Sequence, residues 1–392
     1  MKILKKITIL LFICFLFIHA ATFVPTERLN IRIFSHLKVN ALQLNVNAGT
    51  YKITVDGKLL EESKGESIYK LVLSQDSIAI YKSAEYIGKY HYVKFSGDEL
   101  AEVKIKLINP ERKIRTYQND VSFSVTDGYI KVLNDVILDN YIAGVTEAEA
   151  GRRSSLEFYK VQALLARTFA LSSINKHVLE GFSLCDQVHC QAYFGKPRDV
   201  NIFNAIAETK GKVVVDENLD LIVAAFHSNS GGQTANSEDV WGSYRHYLRS
   251  QVDSFSHKMP NAKWERKMLT EDWLTYLKLK HNYAIDEPNA VKVALNFKQE
   301  TRKVYLECNN TRVPLKNVRQ DLQLKSTFFS IYELNNDSIV FRGRGYGHGL
   351  GMCQEGAMNM CKKGYSYIDV LHYYYRNIRI IDMRKLNFFK DE

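Results

Sequence analysis

Residues 342–357 read Arg342-Gly-Arg-Gly-Tyr-Gly-His-Gly-Leu-Gly-Met-Cys-Gln-Glu-Gly-Ala357, so glycine occupies every second position from 343 to 351. In an extended chain a period of two places all the glycines on one side and all the other side chains on the opposite side. The glycine side is bare backbone, which a partner chain or a ligand can approach closely. Neither G-x-G-x-x-G nor G-x-x-x-x-G-K-[ST] fits these residues, which excludes a phosphate-binding loop of those types. A glycine-rich hairpin of purely structural use is the competing interpretation.

Three further segments lie upstream of this glycine block. They are Tyr141-Ile-Ala-Gly-Val-Thr-Glu-Ala-Glu149 with the following run 154–170, then His189-Cys-Gln-Ala-Tyr193-Phe-Gly195, and Phe226-His-Ser-Asn-Ser-Gly-Gly-Gln-Thr-Ala-Asn-Ser-Glu-Asp-Val-Trp241-Gly. Together and in this order, the four segments resemble the SpoIID/LytB family, the bacterial sporulation stage II D proteins and amidase enhancers. The resemblance runs from about Tyr141 to Asn377.

The resemblance implies a function in peptidoglycan cleavage. Members of this family that cleave peptidoglycan are lytic transglycosylases, which act on MurNAc-GlcNAc glycan strands, preferably strands whose stem peptides have been removed. The family's catalytic glutamate falls on Glu149 when Gly144 and the Lys160-x-Gln162-Ala163 run are matched. The family commonly has Ser-Glu-Met-Pro at this point, whereas this chain reads Ala148-Glu-Ala-Gly151, and Glu147 is the rival position.

The surroundings of Glu149 in the sequence fit a proton donor. It follows a short apolar element, 137–145, and precedes a predicted helix, a position where a carboxyl group can lie at the lip of a groove. An apolar setting keeps a carboxylic acid neutral, so that it can protonate a glycosidic oxygen. Hydrolases use a second carboxylate about 5 to 10 Å away, whereas a lytic transglycosylase needs one. The structural alternative is that Glu147 and Glu149 only complement the dipole of the following helix.

Several polar residues of the four segments are candidates for lining a sugar groove. Ring faces stack on sugar C–H surfaces, and amides bind hydroxyl groups. The candidate substrate-binding residues are Gln191, Tyr193, Ser228, Ser230, Gln233, Tyr346 and His348. For each of them, a core or turn residue with its own hydrogen bonds is the alternative. Arg167, Arg319 and Arg344 are equally consistent with structural ion pairs and receive no role.

A separate group of residues has the chemistry of a metal site. His177, Cys185, His189 and Cys190 provide two imidazoles and two thiols within fourteen positions, the ligand types of a tetrahedral structural zinc site. The resemblance adds that some family members carry a metal at this segment. A disulfide between Cys185 and Cys190 is the alternative in an exported protein. No organic cofactor is expected.

The N-terminus has the layout of a secretory signal. Three lysines precede an apolar run of about a dozen residues, and small residues follow at Ala20 and Ala21. We therefore expect a signal peptide over 1–21, or an uncleaved anchor, and a location in the cell envelope. Removing the signal lysines lowers the formal charge from +10 to +7, which suits a polymer of negative charge such as the cell wall. No motif indicates nucleic-acid binding.

Hydrophobic periodicity predicts an α+β protein with a β-rich N-terminal region, 22–135, followed by a mixed α+β SpoIID-like catalytic domain, 136–385. Alternating runs such as 41–47 predict strands in the first region. In the second, Ser154-x-x-Glu157 predicts a capping box that opens a long helix. Helices are also predicted at 202–209, 263–280 and 355–376, strands at 213–215 and 221–226, and a β-rich stretch at 290–341.

Two functions of different classes remain open. The first is the lytic transglycosylase with Glu149 as general acid and base, which leaves 1,6-anhydroMurNAc ends. The second is a non-catalytic, glycan-binding enhancer of an N-acetylmuramoyl-L-alanine amidase, as the name of some family members implies. The retained glutamate favours the first function. The additional β-rich N-terminal region, as a module for binding the wall or a partner, keeps the second open.

Overall fold

The computed structural model describes residues 28–335 and 337–383. Their architecture is α+β, with strands concentrated at the N-terminal side, which confirms the predicted fold class. The predicted signal peptide lies outside the described residues. Within the described ranges, no helix combines the length and the apolar character needed to cross a membrane.

The N-terminal region is a β-sandwich. Its faces alternate as the sequence predicts: in the second strand Leu42, Leu44 and Val46 are buried and their neighbours are not. The strands are β1 (Arg28–Ile33), β2 (Ala41–Ala48), β3 (Thr50–Val55), β4 (Lys58–Lys64), β5 (Ile68–Ser74), β6 (Ser77–Lys82), β7 (Glu85–Tyr90), β8 (Tyr92–Gly97), β9 (Glu102–Asn109), β10 (Arg115–Gln118), β11 (Asp120–Thr126) and β12 (Tyr129–Ile137).

The mixed region follows the sandwich without a linker, since its first helix begins one residue after β12. Its elements up to the middle motif are α1 (Leu138–Ala150), α2 (Leu156–Ser172), a 3₁₀ turn (Val178–Glu180), β13 (Leu184–Cys185), α3 (Val200–Glu208), β14 (Lys212–Val215), β15 (Phe226–His227) and α4 (Ser237–Trp241). Strand β13 pairs in parallel with β1, so the order of the first sheet is β13-β1-β12-β11-β8-β3-β4 and that of the second is β10-β9-β2-β5-β6-β7.

Residues 263–344 form an insertion with its own core around Trp273, Leu277 and Phe341. Its elements are β16 (Lys263–Leu269), α5 (Thr270–His281), α6 (Pro288–Leu295), β17 (Tyr305–Cys308), β18 (Thr311–Pro314), α7 (Leu315–Asp321), β19 (Phe329–Asn335) and β20 (Ser338–Arg344). The chain then returns through β21 (Met352–Cys353), α8 (Gln354–Lys362), α9 (Tyr367–Tyr374) and β22 (Arg379–Asp382), which pairs with β14.

The division of the cores differs from the predicted boundary at 135. The larger core contains buried residues from the sandwich and from the mixed region, from Leu29 to Ile378. The insertion packs around a second core. The physical reason is the continuous sheet: β13 of the mixed region completes the edge of the sandwich, so apolar side chains from both regions cover the same sheet.

Four local predictions need correction. Residues 263–280 begin with strand β16, and helix α5 starts at Thr270. The β-rich stretch 290–341 also contains most of helix α6 and all of α7. Of the predicted strand 221–226, only a bridge at Leu221 and the end at Phe226 pair.

The N-cap of α2 is Ser155, which accepts from the Phe158 N–H at 3.3 Å. Glu157 makes no capping box, because it binds Lys160 and the Tyr367 N–H.

Candidate active site

Glu149 lies in the last turn of α1, and it precedes the capped helix α2 as predicted. The apolar run 137–145 supplies the buried face of this helix, including Tyr141, Ile142 and Val145. The helix stops at Ala150 because Gly151 adopts a φ of +70°, which favours glycine. Packing of α1 against α2 therefore fixes the position of the Glu149 side chain at the helix end.

The Glu149 carboxyl group is partly buried and has one hydrogen-bond donor among the described residues. Its Oε1 accepts from the Ala192 N–H at 2.9 Å. Burial raises the pKa of Glu149 above its ordinary value of 4.5, and the Ala192 N–H opposes this shift only in part. Burial disfavours the charged form of a carboxyl group. The neutral, proton-donating form of Glu149 therefore persists to higher pH than in an exposed glutamate.

Glu149 opens on a cleft of about 390 Å³. The wall is mostly apolar, and Glu149 is the one Asp or Glu residue among the described residues that line it. The other lining residues are Phe169, Val188, His189, Cys190, Gln191, Val223, Ala224, Ala225, Phe226, Trp241 and His348. The structure thus brings two of the predicted sugar-binding residues, Gln191 and His348, to the same cleft as Glu149.

Gln191 offers a free donor in this cleft. Its Oε1 accepts from the Tyr141 hydroxyl at 3.4 Å, while its buried Nε2 has no partner among the described residues. Deeper in the fold, Gln354 Nε2 donates to the Glu149 carbonyl oxygen at 3.1 Å and lies 3.4 Å from Gln162 Oε1. Unpaired buried amide donors are costly, and the Gln191 amide is such a donor at the wall of the cleft.

The glycine block positions His348. It is not an extended strand: Gly345, Gly347, Gly349 and Gly351 all have positive φ. The predicted close approach nevertheless occurs, since a Cβ on Gly351 would collide with the Ala225 carbonyl oxygen. His348 Nδ1 accepts from the Leu350 N–H at 3.0 Å. Burial, and secondly the charge of Arg319, lower the pKa of His348 to about 4, so the ring is neutral at pH 7.

Glu147, the rival for the catalytic position, is engaged in structural contacts. Its Oε2 accepts from the backbone N–H groups of Arg198 and Asp199 at 2.7 and 3.1 Å. Its Oε1 lies 3.3 Å from Arg152 Nε. These contacts tie α1 to the start of α3, and Glu147 does not line the Glu149 cleft. These contacts assign Glu147 to the joint between α1 and α3 rather than to the cleft.

Two predicted sugar-binding residues are core residues in the structure. Tyr193 is buried against Tyr141, and its hydroxyl donates to Asn134 Oδ1 at 2.9 Å. Ser230 is fully buried and donates to Asp253 Oδ2 at 2.7 Å. Both predictions are corrected for the same reason. These side chains complete polar contacts inside the fold and present no surface to a ligand.

The other predicted sugar-binding residues lie away from Glu149. Ser228 Oγ accepts from Asn261 Nδ2 at 3.4 Å, and Gln233 joins the Arg302 N–H to the Ser250 hydroxyl. Tyr346 is 46% exposed and lines a cavity on the insertion that does not include Glu149. The structure therefore separates Tyr346 from His348, although only one residue stands between them.

Two residues of the site were not singled out by the sequence. Trp241 is 45% exposed at the cleft, and its ring centroid lies 5.8 Å from that of His348. His227 is buried, with Nδ1 3.0 Å from the Leu350 carbonyl oxygen and a ring centroid 5.6 Å from that of His348. Trp241 is the second-last residue of the quoted middle motif, and an aromatic residue next to a predicted sugar groove was the available signal.

The arginines of these motifs differ in their pairing. Arg167 is fully buried and forms an ion pair with Asp139 at 3.0 Å, as a structural role requires. Arg319 and Arg344 form no ion pair with a carboxylate in the described part of the chain. Arg344 instead donates to the carbonyl oxygens of Gln299 and Glu300. The ion-pair interpretation thus holds for Arg167 alone.

The four predicted metal ligands are together beside the cleft. One ligand atom from each of His177, Cys185, His189 and Cys190 lies within 4.8 Å of the others. Cys190 Sγ is 3.4 Å from His177 Nε2, and Cys185 Sγ is 3.8 Å from His189 Nδ1. Both thiols are free in the structure, not joined in a disulfide. Glu180 contacts His177 Nδ1, the outer carboxylate that commonly orients a metal-bound imidazole. The donor set and its arrangement fit Zn²⁺.

The sandwich holds the loop that carries these ligands. Asp186, fully buried, accepts from the N–H groups of Phe34 and Ser35 and from the Ser35 hydroxyl, at 2.8, 3.1 and 2.7 Å. The neighbouring Cys185 pairs with Arg32 in the β1–β13 ladder. The N-terminal region therefore fixes the loop that supplies the Ala192 N–H to Glu149.

Comparison with known proteins agrees with these motifs. Residues 126–215, which include Glu149 and the four Cys and His residues, match the family described as Stage II sporulation protein, SpoIID. Stage II sporulation protein D of Bacillus subtilis (strain 168) is 29% identical over 264 residues, which are 63% of this chain and 75% of that protein.

Two further relatives extend the comparison. An uncharacterized protein of Brachyspira hyodysenteriae is 26% identical over 280 residues, 69% of this chain and 74% of its own length. The amidase enhancer of Bacillus subtilis (strain 168) is 28% identical over 286 residues, 60% of this chain but only 39% of that longer protein. The matched segment 126–215 and these relatives show that this chain carries a SpoIID-like domain and is similar to stage II sporulation protein D and to the amidase enhancer.

Proposed function

We propose that this protein is a lytic transglycosylase of peptidoglycan glycan strands, with Glu149 as its general acid and base. The observation that carries the proposal is the Glu149 cleft: one partly buried carboxyl group of raised pKa, with no second Asp or Glu among the described lining residues. The names of its relatives, a sporulation protein D and an amidase enhancer, support the coarser statement of a role in cell-wall processing.

The reaction needs one group that first gives and then takes a proton. Neutral Glu149 donates its proton to the glycosidic oxygen between MurNAc and GlcNAc, and the C1–O bond breaks. The resulting carboxylate accepts the proton of the C6 hydroxyl, whose oxygen forms a bond to C1. The products are a 1,6-anhydroMurNAc end and a free GlcNAc hydroxyl. Atoms and charge balance without water, and Glu149 returns to its acid form.

The environment of Glu149 supports both halves of this cycle. Burial keeps the acid neutral before bond cleavage, and the Ala192 N–H stabilises the carboxylate that forms. The exposed face of Trp241 is suited to stacking on a sugar ring, and the Gln191 amide to binding a hydroxyl or N-acetyl oxygen. Glu355 cannot easily serve as a second catalytic carboxylate, because Asn229 and Asn261 hold it with three hydrogen bonds.

Two accompanying proposals concern the metal and the location. His177, Cys185, His189 and Cys190 would hold a structural Zn²⁺ that fixes the loop of Gln191 and Ala192, because four protein ligands leave no open position for catalysis. The protein would act in the cell envelope, to which the signal-like N-terminus of the sequence would direct it.

The second candidate function is a glycan-binding enhancer of an amidase. The name of the amidase enhancer relative favours it, and the cleft could bind a glycan without cleaving it. The two functions differ in one respect: only the first requires the Glu149 proton.

The test compares the mature wild-type chain with Glu149→Gln on glycan strands, both amidase-denuded and intact, with mass spectrometry of the soluble products. Glutamine keeps an acceptor for the Ala192 N–H but cannot donate a carboxyl proton. We expect 1,6-anhydro ends from the wild type and a rate lower by a factor of about 10² to 10⁴ for the variant.

Glu147→Gln is the matched control, two residues away with the same chemical change. Among the described residues, the polar contacts of the Glu147 carboxyl group are to the N–H groups of 198–199 and to Arg152. Its variant should therefore cleave at close to the wild-type rate while unfolding more easily. Ordinary reducing ends would indicate a hydrolase. Glycan binding without product release by the wild type would favour the enhancer.

A further inference from the structure

A second set of cavities lies on the insertion side of His348. His348 also lines a narrow cavity of about 60 Å³. Arg319 and Lys316 line both this cavity and a wider one of about 660 Å³, whose wall also includes Tyr346 and Lys325. We call the surface formed by Lys316, Arg319, Lys325 and Tyr346 the basic track. The three cavities therefore adjoin one another through shared lining residues, from the Glu149 cleft to the insertion.

The basic track carries positive charge without matching negative charge. Asp239 is the one acidic residue among the described residues that line the two cavities, and its carboxylate accepts from Asn236 Nδ2. Within the described ranges, none of Lys316, Arg319 and Lys325 has a carboxylate within ion-pair distance. Cations gathered in a groove without counter-charges repel one another, and an anionic ligand relieves that repulsion.

Arg319 is the residue best placed to bind an anion. The deeper Arg302 is already used structurally, because it donates to the carbonyl oxygens of Gln233 and Ser230, both at 2.7 Å. Arg319 donates only its Nε, to the Lys325 carbonyl oxygen at 3.3 Å, and is half-buried. Both terminal nitrogens of its guanidinium lack a partner among the described residues. A free guanidinium fork matches the two oxygens of a carboxylate.

We propose that the basic track is a distal subsite of the glycan cleft that binds the free lactyl carboxylate of a MurNAc residue, mainly through Arg319 with Lys325 beside it. This inference rests on the proposed function, since it requires a glycan strand in the cleft. A MurNAc without a stem peptide ends its lactyl group in a carboxylate, whereas an attached peptide converts that group to a neutral amide. Exposed Tyr346, whose ring centroid lies 5.6 Å from Lys325 Nζ, offers a face for the sugar ring.

The test measures binding rather than cleavage. Denuded glycan oligosaccharides are compared with the same oligosaccharides after their lactyl carboxyls are converted to primary amides, by calorimetry on the Glu149→Gln protein. We expect the carboxylate form to bind about tenfold more tightly at low salt, and the preference to shrink with added salt. Arg319→Gln in this background should remove most of the preference and leave the affinity for the amide form unchanged.

Two double variants that remove the same number of charges control for misfolding and for a general effect of net charge on glycan binding. Lys316→Gln with Lys325→Gln removes two charges from the basic track. Lys267→Gln with Lys280→Gln removes two exposed charges of the insertion that line neither cavity. The inference requires a loss of preference in the first pair only. Equal affinity for both glycans in the Glu149→Gln protein with an unchanged basic track would overturn it. An equal loss of the preference for the carboxylate form in both double variants would also overturn it.

Two more results would distinguish a lactyl carboxylate from a phosphate, and the subsite from the catalytic activity. Strong binding only of glycan that carries teichoic acid phosphates would also overturn the lactyl assignment, because the ligand would then be a phosphate. If the Glu149→Gln protein discriminates the two glycans as expected while the wild type yields no anhydro ends, the subsite stands and the transglycosylase proposal fails. The binding and product measurements therefore fail independently.

Discussion

Two glutamates on one helical turn illustrate how much the surroundings decide at the scale of a residue. Glu147 and Glu149 are separated by one alanine, yet Glu147 is bound by two N–H groups and Arg152, and Glu149 by a single N–H. The first set of contacts holds Glu147 between α1 and the start of α3, whereas burial has the largest effect on the pKa of Glu149. The same residue type is therefore a structural anchor at one position and a candidate acid at the other.

The raised pKa of Glu149 predicts a trade-off between stability and activity. A carboxyl whose pKa is higher in the folded state binds more protons there than in the unfolded chain, so its contribution to stability falls as pH rises above 4.5. Glu149→Gln, which has no charge to bury, should be more stable than the wild type at pH 7. The difference should vanish below pH 4.5. Urea unfolding at both pH values measures this.

The corresponding activity profile has its own expected direction. Cleavage by the wild type should decline as the pH rises through the folded-state pKa of Glu149, with a midpoint above 4.5, because the acid form is lost. Glu147→Gln should show the same midpoint. A wild-type rate that declines around pH 4.5 or below would mean that burial does not control this acid.

At the scale of an element, the loop 177–190 shows why a metal would matter here. It has few regular hydrogen bonds of its own beyond the short 3₁₀ turn and β13, yet it precedes Gln191 and Ala192 at the cleft. Short loops without a ladder depend on external contacts for a fixed conformation. Four ligands that converge within 4.8 Å would provide such contacts.

We predict that the purified protein contains about one zinc per chain and that Cys185→Ser lowers this content to near zero. Chelation should lower the melting temperature of the wild type, because ligand binding stabilises the folded state. Cys361→Ser is the control, since Cys361 lies on α8 and belongs to no metal cluster among the described residues. Mass spectrometry measures the zinc content of each protein. A Cys185–Cys190 disulfide with no bound metal would contradict the prediction.

At the scale of the whole molecule, the N-terminal sandwich is part of the scaffold of the site. Its edge strand β1 pairs with β13, and the first core runs through both regions. A module for binding the wall or a partner, as the sequence suggested, would not need this continuity. The observed contacts add a second role, that of holding the loop which places the Ala192 N–H against Glu149.

Asp186→Ala should uncouple the sandwich from this loop. The change leaves the N–H groups of Phe34 and Ser35 without acceptors at a buried joint, which should lower the free energy of unfolding by about 2–4 kcal/mol. Hydrogen exchange of residues 184–192 should accelerate. Asp56→Ala, which removes two N–H contacts at an exposed turn of the sandwich, is the control. Unchanged exchange in Asp186→Ala would show that the joint does not hold the loop.

The sequence alone determined the features that depend on local pattern. Alternating residues predicted the β-rich N-terminal region, helical spacing predicted α2, and the ordered motifs indicated the SpoIID family and the residues His177, Cys185, His189 and Cys190. A period of two or of 3.6 is encoded by neighbours in the chain, so it can be read without the fold.

The tertiary structure alone decided which of the candidate residues share a surface. It placed Tyr193 and Ser230 in the core and brought Trp241 to the cleft. It also left the two terminal nitrogens of Arg319 without a partner in the described part of the chain. It also brought two donors to Glu149 from distant parts of the chain. The Ala192 N–H, 43 positions away, binds its carboxyl group, and the Gln354 amide, 205 positions away, binds its carbonyl oxygen. Burial, pKa and charge pairing arise from contacts between residues distant in sequence, and no local pattern records those contacts.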